Sequence, residues 1–385
     1  MTQPQTKTRD RALILGGLAG QLDAIKSLQS LGWEVHACGR DRDGPAVVEA
    51  DGFHTVDIVD VDAVTALAEH LRVRFVYSVG SDIAMPTVSR VSERLGLPNF
   101  IDVARTDLLR DKAALRGFLA EHQLSPVSYR RVLTGDDLDA DFPYPAMLKP
   151  VDSQGQRAIT SVRDRNHALT ALPTALAASP SRSAILEEYL DGPEVSVHVF
   201  LRNGRIAFYE PSDRHVWDGP LPGVAQGHTM PSRWVIEHGA AGELRALVDA
   251  FVAALGVQNG PLYLQLMLTS LGPRIIEVAP RLDGCHLWRL IDVLYGVDLL
   301  HACWAGLAGL REPTLERSRD GLNGELTFYL VPPDRPVDVA ALRAGANAAV
   351  AFEEFHLEPE GRARDTNGIV ARAGYRITLH ATVPE

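Results

Sequence analysis

Between residues 10 and 100, short apolar runs alternate with stretches in which apolar residues recur every three or four positions. Residues 12–15 form the first run and end in Gly16-Gly17, the pattern of a buried strand and a tight turn. Leu22, Ile25, Leu28 and Leu31 then mark one face of a helix closed by Gly32, and residues 33–37 read as a second strand. Val64, Leu67, Ala68 and Leu71 mark another helix, followed by a strand at 75–79. This alternation predicts a parallel sheet with helices on both faces.

Residues 98–106 read as a boundary, followed by a helix over 107–122. Beyond it the pattern changes to α+β. Strands are predicted at 146–149, 158–162, 185–189 and 195–201, with an Ala-rich helix at 166–178. Arg202-Asn203-Gly204-Arg205 is a hairpin turn signal before a strand at 206–209. Residues 210–233 read as loop-rich, with five Gly or Pro residues between Gly219 and Gly227. A helix over 243–255 is stopped by Gly256, and strands at 262–269 and 274–278 form a hairpin around Gly272-Pro273. Helices fill 286–309, and the last 75 residues are mixed α+β.

Composition narrows the class. A chain of 385 residues predicts two or three domains, and 46% hydrophobic with 23% charged residues is ordinary for a globular protein. The formal charge of −11 argues against a nucleic-acid or anionic-membrane binder while leaving room for a local basic pocket. Cys38, Cys285 and Cys303 are far apart and form neither a disulfide framework nor a zinc motif. The opening MTQPQTKTRD lacks the apolar core of a signal peptide, and no run approaches the ~18 apolar residues of a membrane span. The expectation is a cytoplasmic enzyme or small-molecule binder.

Three places carry candidate chemistry. The turn Gly16-Gly17-Leu18-Ala19-Gly20 has the spacing G-G-x-x-G, which does not meet the dinucleotide fingerprint; it reads as a tight turn or as a substrate-facing loop. Lys149 ends an apolar strand and precedes the small polar loop Ser153-Gln154-Gly155-Gln156-Arg157. A lysine there is costly unless it meets an anion, so the segment reads as a phosphate flap or as a surface hairpin. Lys112, after Asp111 at a helix start, is a weaker candidate. In the 262–278 hairpin, the leucines at 262, 264, 266 and 268 share one face and Tyr263, Gln265 and Met267 the other. A turn at 270–272 puts Gln265 opposite Glu277, with Ile275, Glu277 and Ala279 on one face and Arg281 just beyond. Paired oxygen donors of this kind suit Mg²⁺, and Arg281 suits a carboxylate or developing phosphate charge.

On residues alone the glycine turn also leaves a nicotinamide site as a last reading, and the hairpin a solvent-facing strand with a chance acid. In chain order these pieces resemble the ATP-grasp superfamily, especially carboxylate–amine ligases similar to L-amino acid ligases and the biotin carboxylase/carbamoyl phosphate synthetase group. The carrying segments are the stretch from Ile14, Asp111-Lys112, Met147-Leu148-Lys149-Pro150 with the loop from Ser153, Glu187-Glu188-Tyr189-Leu190 with Asp191-Gly192-Pro193-Glu194, Glu277-Val278-Ala279-Pro280-Arg281-Leu282, and Arg372-Ala373-Gly374-Tyr375. The resemblance implies an α/β and α+β chain with the ATP-grasp fold. It implies an N-terminal parallel-sheet pre-ATP-grasp domain at 1–106, an ATP-grasp domain at 107–310 with a mobile lid lobe at about 135–195, and a C-terminal α+β part at 311–385. It implies that Lys112 and Lys149 hold ATP phosphates under a flap containing Ser153, Gln156 and Arg157. Glu187, with the backbone of Glu188 and Leu190, would read adenine, and Glu194 would lie near the ribose or triphosphate. Glu277 and Gln265 would ligate Mg²⁺ (or Mn²⁺), Arg281 would steady the acyl phosphate or substrate carboxylate, and His228 would stand near nucleotide or substrate. Gln265 replaces the family's usual glutamate and Ala279 a frequent asparagine, with Asp283 a candidate to compensate; Ala158 replaces a common flap glycine.

The implied activity is ATP-dependent joining of a carboxylate to an amine through an acyl phosphate, releasing ADP and phosphate. The alternatives are a carboxylase activating bicarbonate on the same fold, or a nucleotide-binding protein with weak or no catalysis. The implied partners are small-molecule acids and amines, with no nucleic acid or membrane, and a homodimer is the default assembly. Residues 209–233 and 285–289 are the expected substrate lining, with Trp217 and His286 as aromatic members and Trp288 read first as core packing.

Overall fold

A computed structural model describes residues 9–42, 44–153, 157–219, 223–333, 335–344, 349–357, 361–363 and 370–381. The apolar alternation at the start yields β1 (Arg11–Leu15), β2 (Glu34–Gly39), β3 (Gly52–Thr55) and β4 (Phe75–Tyr77), in the order β3-β2-β1-β4. The pairs are all parallel, and helices Ala19–Ser30, Val61–Leu71 and Met85–Leu95 connect or flank them. Leu13, Ile14, Val35 and Val76 are fully buried, as a sheet covered on both faces requires. The glycine turn is internally satisfied. Gly16 has φ +109°, and the Leu18 N–H donates to the Gln21 side chain at 3.0 Å, so the helix start is capped from within.

The helix expected over 107–122 is instead two, Val103–Arg110 and Lys112–Glu121. Asp111 is extended between them, and its carboxylate accepts from the N–H groups of Ala113 and Ala114 at 2.9 Å each. The break places Lys112 in the first turn of a new helix.

A second sheet, order β5-β8-β6-β7, follows: β5 (Tyr129–Val132), β6 (Ala146–Pro150), β7 (Thr160–Val162) and β8 (Ala184–Glu188). Helix Arg165–Ala177 covers it through Ala168, Leu172 and Ala175, which pack on Leu148, Val162 and Leu186. The strand expected at 158–162 starts only at Thr160, because Ala158 takes φ +55°.

The third sheet has the order β13-β12-β9-β10-β11-β14-β16-β15. Its strands are β9 (Glu194–Arg202), β10 (Arg205–Val216), β11 (Ala225–Met230), β12 (Gly260–Thr269), β13 (Gly272–Ala279), β14 (Leu322–Val331), β15 (Ala349–Phe355) and β16 (Ala371–Ala381). The passage expected to be loop-rich at 210–233 therefore contains half of β10 and all of β11. Its cross-strand pairs, Asp213 with Thr229 and Arg214 with His228, are polar, so apolar alternation does not announce them. Glycine matters where Glu188 leads into β9: Gly192 has φ +141°, and a Cβ there would collide with the Leu268 carbonyl.

One side of the third sheet packs on helix Ala241–Leu255 through Val195, Val197, Val199, Leu262, Leu264 and Leu266. The other side shares a core with the N-terminal sheet through helices Leu287–Tyr295 and Leu299–Ala308. Among the described residues, no single helix is long and apolar enough to cross a membrane.

Buried Glu210 ties β10 to this core, accepting from the Tyr295 hydroxyl at 2.8 Å and pairing with Arg317. Burial pushes its carboxyl up to about 7, against the pull of Arg317 and the Tyr295 hydrogen bond. A raised carboxyl favours the native state below its unfolded value near 4.5, and that contribution is lost as pH rises through 7. Relative to the parent, Glu210→Gln is therefore expected to gain on the order of 2 kcal/mol of unfolding free energy between pH 4.5 and pH 8. Denaturant titrations at the two pH values check it; a pH-independent difference contradicts it.

Candidate active site

Strand alternation collects polar side chains on the third sheet's inner face. Cross-strand pairs there are Glu194 with Met267, Ser196 with Gln265, and His198 with Tyr263. Ser212 lies opposite Ser196, and Arg214 opposite His228. The hairpin register puts Gln265 opposite Glu277 and Tyr263 opposite Ala279.

One part of the expected hairpin differs. The register shifts between Gln265 and Leu266, so that Leu266 faces Ile275 and Ile276 is the extra residue. This bulge sends Ile275 into the leucine core and leaves Glu277 and Ala279 on the polar face.

Lys149 is buried at the end of β6, where its ammonium contacts Glu187 of β8. The other Glu187 oxygen accepts from Arg116 Nε at 2.6 Å. All three side chains are buried. Burial disfavours the Glu187 charge, but Lys149 and Arg116 outweigh it and hold the carboxyl down at about 2. Burial pulls the Lys149 ammonium below its ordinary value, and Arg116 and Lys112 act in the same direction against Glu187. Two cations and one anion leave a buried excess of one positive charge, an arrangement that calls for an anionic ligand. Both Glu187 oxygens are thus engaged by cations, and the Glu188 N–H donates to the Ser128 carbonyl at 3.0 Å. Leu190 follows beyond the end of β8.

Lys112 Nζ donates to the Ser153 carbonyl at 2.9 Å, and its backbone N–H to Val151 at 3.0 Å. A cleft runs from these residues across to the third sheet. Lys112, Ser153, Arg157 and Glu277 line it together with Asp82 of the N-terminal domain. Gln156 lies outside the described residues.

Glu194 pairs with Arg214 at 2.9 Å and accepts from the Gln265 amide. Burial raises the Glu194 carboxyl, with Glu277 adding to the effect and Arg214 opposing it. Gln265 thus spends its N–H₂ on Glu194 and keeps its carbonyl oxygen as an acceptor. Glu277, opposite, has no ion-pair partner among the described residues. One carboxylate and one amide oxygen fit Mg²⁺, which completes its shell with water and phosphate oxygens. No group of three acid, histidine or cysteine side chains suited to a metal occurs among the described residues. Asp283 does not supply the missing carboxylate: it accepts from the N–H groups of Cys285 and Leu287, capping the turn into the next helix.

Arg281 is buried, pairs with Asp82 and lies 5.6 Å from the centre of the Tyr263 ring. Burial works against its charge, but Asp82, joined by Asp283 and Tyr263, outweighs burial and keeps it charged. His228 is fully buried; its Nδ1 lies 3.3 Å from the Ser212 hydroxyl, and its Nε2 has no partner. Burial, then Arg214 and His198, depress its pKa, so the ring is neutral. His286 and Trp288 do not line the cleft. Both bind Asp23 of helix Ala19–Ser30, at 3.1 and 3.0 Å, and fasten the N-terminal domain to the rest.

Sequence reasoning missed Arg116, Asp82 and Arg214. Arg116 stands four residues after Lys112, which puts both on one helix face. Asp82 follows the carboxyl end of a parallel strand, where open α/β sheets place their ligands. Arg214 carried no signal once its strand was read as loop.

Residues 142–287 match the family model described as the ATP-grasp domain. That stretch is an ATP-grasp domain, set within the three-sheet architecture described above. Carnosine synthase 1 of Homo sapiens is 37% identical over 147 residues, covering 36% of this chain and 17% of the human protein. Formate-dependent phosphoribosylglycinamide formyltransferase of Rhodococcus jostii is 33% identical over 181 residues, 45% of this chain and 44% of that protein. The matched stretches thus span less than half the length of these curated relatives. In fold, L-amino acid ligase from Bacillus licheniformis superposes with a TM-score of 0.77 at 17% identity, over 98% of this chain and 95% of that one.

Proposed function

We propose that this chain is an ATP-dependent ligase joining a small carboxylic acid to an amine, with ADP and phosphate released. The observation that carries the reading is the buried excess cation at Lys149 and Arg116, together with a cleft that Lys112, Ser153 and Arg157 share with Glu277, whose cross-strand neighbour is Gln265. Similarity to carnosine synthase 1 and the fold shared with L-amino acid ligase support it.

In the first step a carboxylate oxygen attacks the γ-phosphorus of ATP. The bond from phosphorus to the β–γ bridging oxygen breaks, ADP leaves, and an acyl phosphate forms. In the second step the amine nitrogen attacks the acyl carbon, the C–O bond to phosphate breaks, and an amide, phosphate and a proton result. Lys149 and Lys112 neutralise phosphate oxygens, and Arg281 holds the acid's oxygens in line. Glu277 and Gln265 would hold Mg²⁺, which when bound would supply positive charge against the developing phosphate charge. Leu190 and the backbone after β8, with Glu194, form the adenine and ribose end. Ser153 and Arg157, with Gln156 outside the described residues, would bind the phosphates, and exclusion of water there would protect the acyl phosphate. His228 would stand beside the acid or amine as a neutral hydrogen-bonding group. The reading requires that ADP release depend on both an acid and an amine; dependence on bicarbonate without an amine would replace it with carboxylation.

A further inference from the structure

Arg116 does more than neutralise Glu187. Its Nη1 donates to the carbonyl of Ile275 at 2.5 Å, while its Nε holds Glu187 at 2.6 Å. One buried guanidinium therefore bridges the second sheet, through the carboxylate that contacts Lys149, and β13, which carries Glu277. Ile275 sits at the β13 bulge on the edge of the third sheet, where one side of the strand has no neighbouring strand. Its N–H is held as well, donating to the Ser125 hydroxyl at 2.7 Å. Ser125 is buried, just beyond helix Lys112–Glu121, with φ +47°. Both backbone groups of Ile275, next to the extra residue Ile276, are thus satisfied from the chain segment that begins at Lys112.

A bulge decides which face the following side chains occupy, since a one-residue slip reverses them. Without the extra residue, Glu277 would be displaced from its place opposite Gln265. Edge backbone groups with fixed partners resist such a slip, whereas the same groups in water do not. We infer that Arg116 is a positioning residue that fixes Lys149 relative to Glu277, and that Ser125 assists by pinning the bulge. Arg116 touches neither nucleotide nor metal in this role; it holds the groups that do. Supporting groups of this kind commonly change metal affinity by about 10- to 100-fold when removed.

The inference rests on the nucleotide-binding reading of the cleft, so the test measures binding separately from ligase activity. Calorimetric titration of ADP into the full chain, with and without Mg²⁺, gives the Mg²⁺-dependent gain in affinity. Arg116→Met leaves the neutral Lys149–Glu187 pair inside, so no buried charge loses its last partner. The Arg116→Met chain is expected to lose about tenfold or more of the Mg²⁺-dependent gain and to bind ADP more weakly without metal. Ser125→Ala is expected to reduce the Mg²⁺-dependent gain alone, and Arg116→Lys to restore part of it. Thermal unfolding of each variant shows whether it is folded at the titration temperature. If Arg116→Met unfolds, the Ser125→Ala titration decides. Folded variants that keep the parent's Mg²⁺-dependent gain overturn the inference. A parent chain that binds no ADP would sink the nucleotide-binding reading itself, and the inference with it.

Discussion

Lys149→Ala is expected to slow ADP release from Mg·ATP by about 10²- to 10³-fold, with the chain still folded. The expectation follows from the charge count at β6 and β8. Lys149 and Arg116 share Glu187, and all three side chains are buried, so their excess positive charge is held away from bulk solvent. Removing the lysine leaves one guanidinium on one carboxylate, a neutral buried pair, so the fold retains compensation. What disappears is the charge available to a phosphate. Removing Glu187 would instead leave two facing cations and confound stability with activity, which makes Lys149 the informative position. Steady-state ADP release with circular dichroism of the same sample checks the result. Near-parental turnover in a folded variant would remove Lys149 from the phosphate site.

Glu277→Ala is expected to abolish Mg²⁺-dependent ADP release, again by at least about 10²-fold, for a different reason. Gln265 has committed its amide hydrogens to Glu194 and offers one neutral oxygen. Asp283 is committed to backbone N–H groups. Glu277 is therefore the carboxylate on which a cation at this pair depends, and no nearby acid on the face is free to replace it. The alanine variant should still bind ADP without metal, through Lys149 and Lys112. The measurement is ADP release across a Mg²⁺ titration, where the variant should show no saturable activation. Activation like the parent's would place the metal elsewhere.

Much of this was legible from residue order. The N-terminal sheet follows from apolar runs of fixed length, because buried parallel strands admit few polar residues. The pairing of Gln265 with Glu277 is expected from a turn at 270–272, but the structure reaches it differently: Thr269 faces Gly272 across a tighter turn, and the extra residue Ile276 restores the pair. The helix break at Asp111 was hidden because apolar residues continue on both sides of it; only the capping potential of one aspartate marks it. β10 and β11 were hidden for the opposite reason. Ser212, Arg214 and His228 are buried polar residues, so the apolar alternation that would have revealed the strands is missing. The bulge at Ile275 is a tertiary feature. Its edge groups are held by Arg116 and Ser125, 159 and 150 residues earlier in the chain. Local sequence carries no record of partners at that distance.

The central claim is that one cleft couples phosphoryl transfer from ATP to amide formation. It is tested most directly by counting products from the full chain given Mg·ATP and a matrix of acids and amines. ADP release is expected only when both an acid and an amine are present, with one amide formed for each ADP. ADP release that needs bicarbonate but no amine, or tight ATP binding without turnover across the matrix, would contradict it.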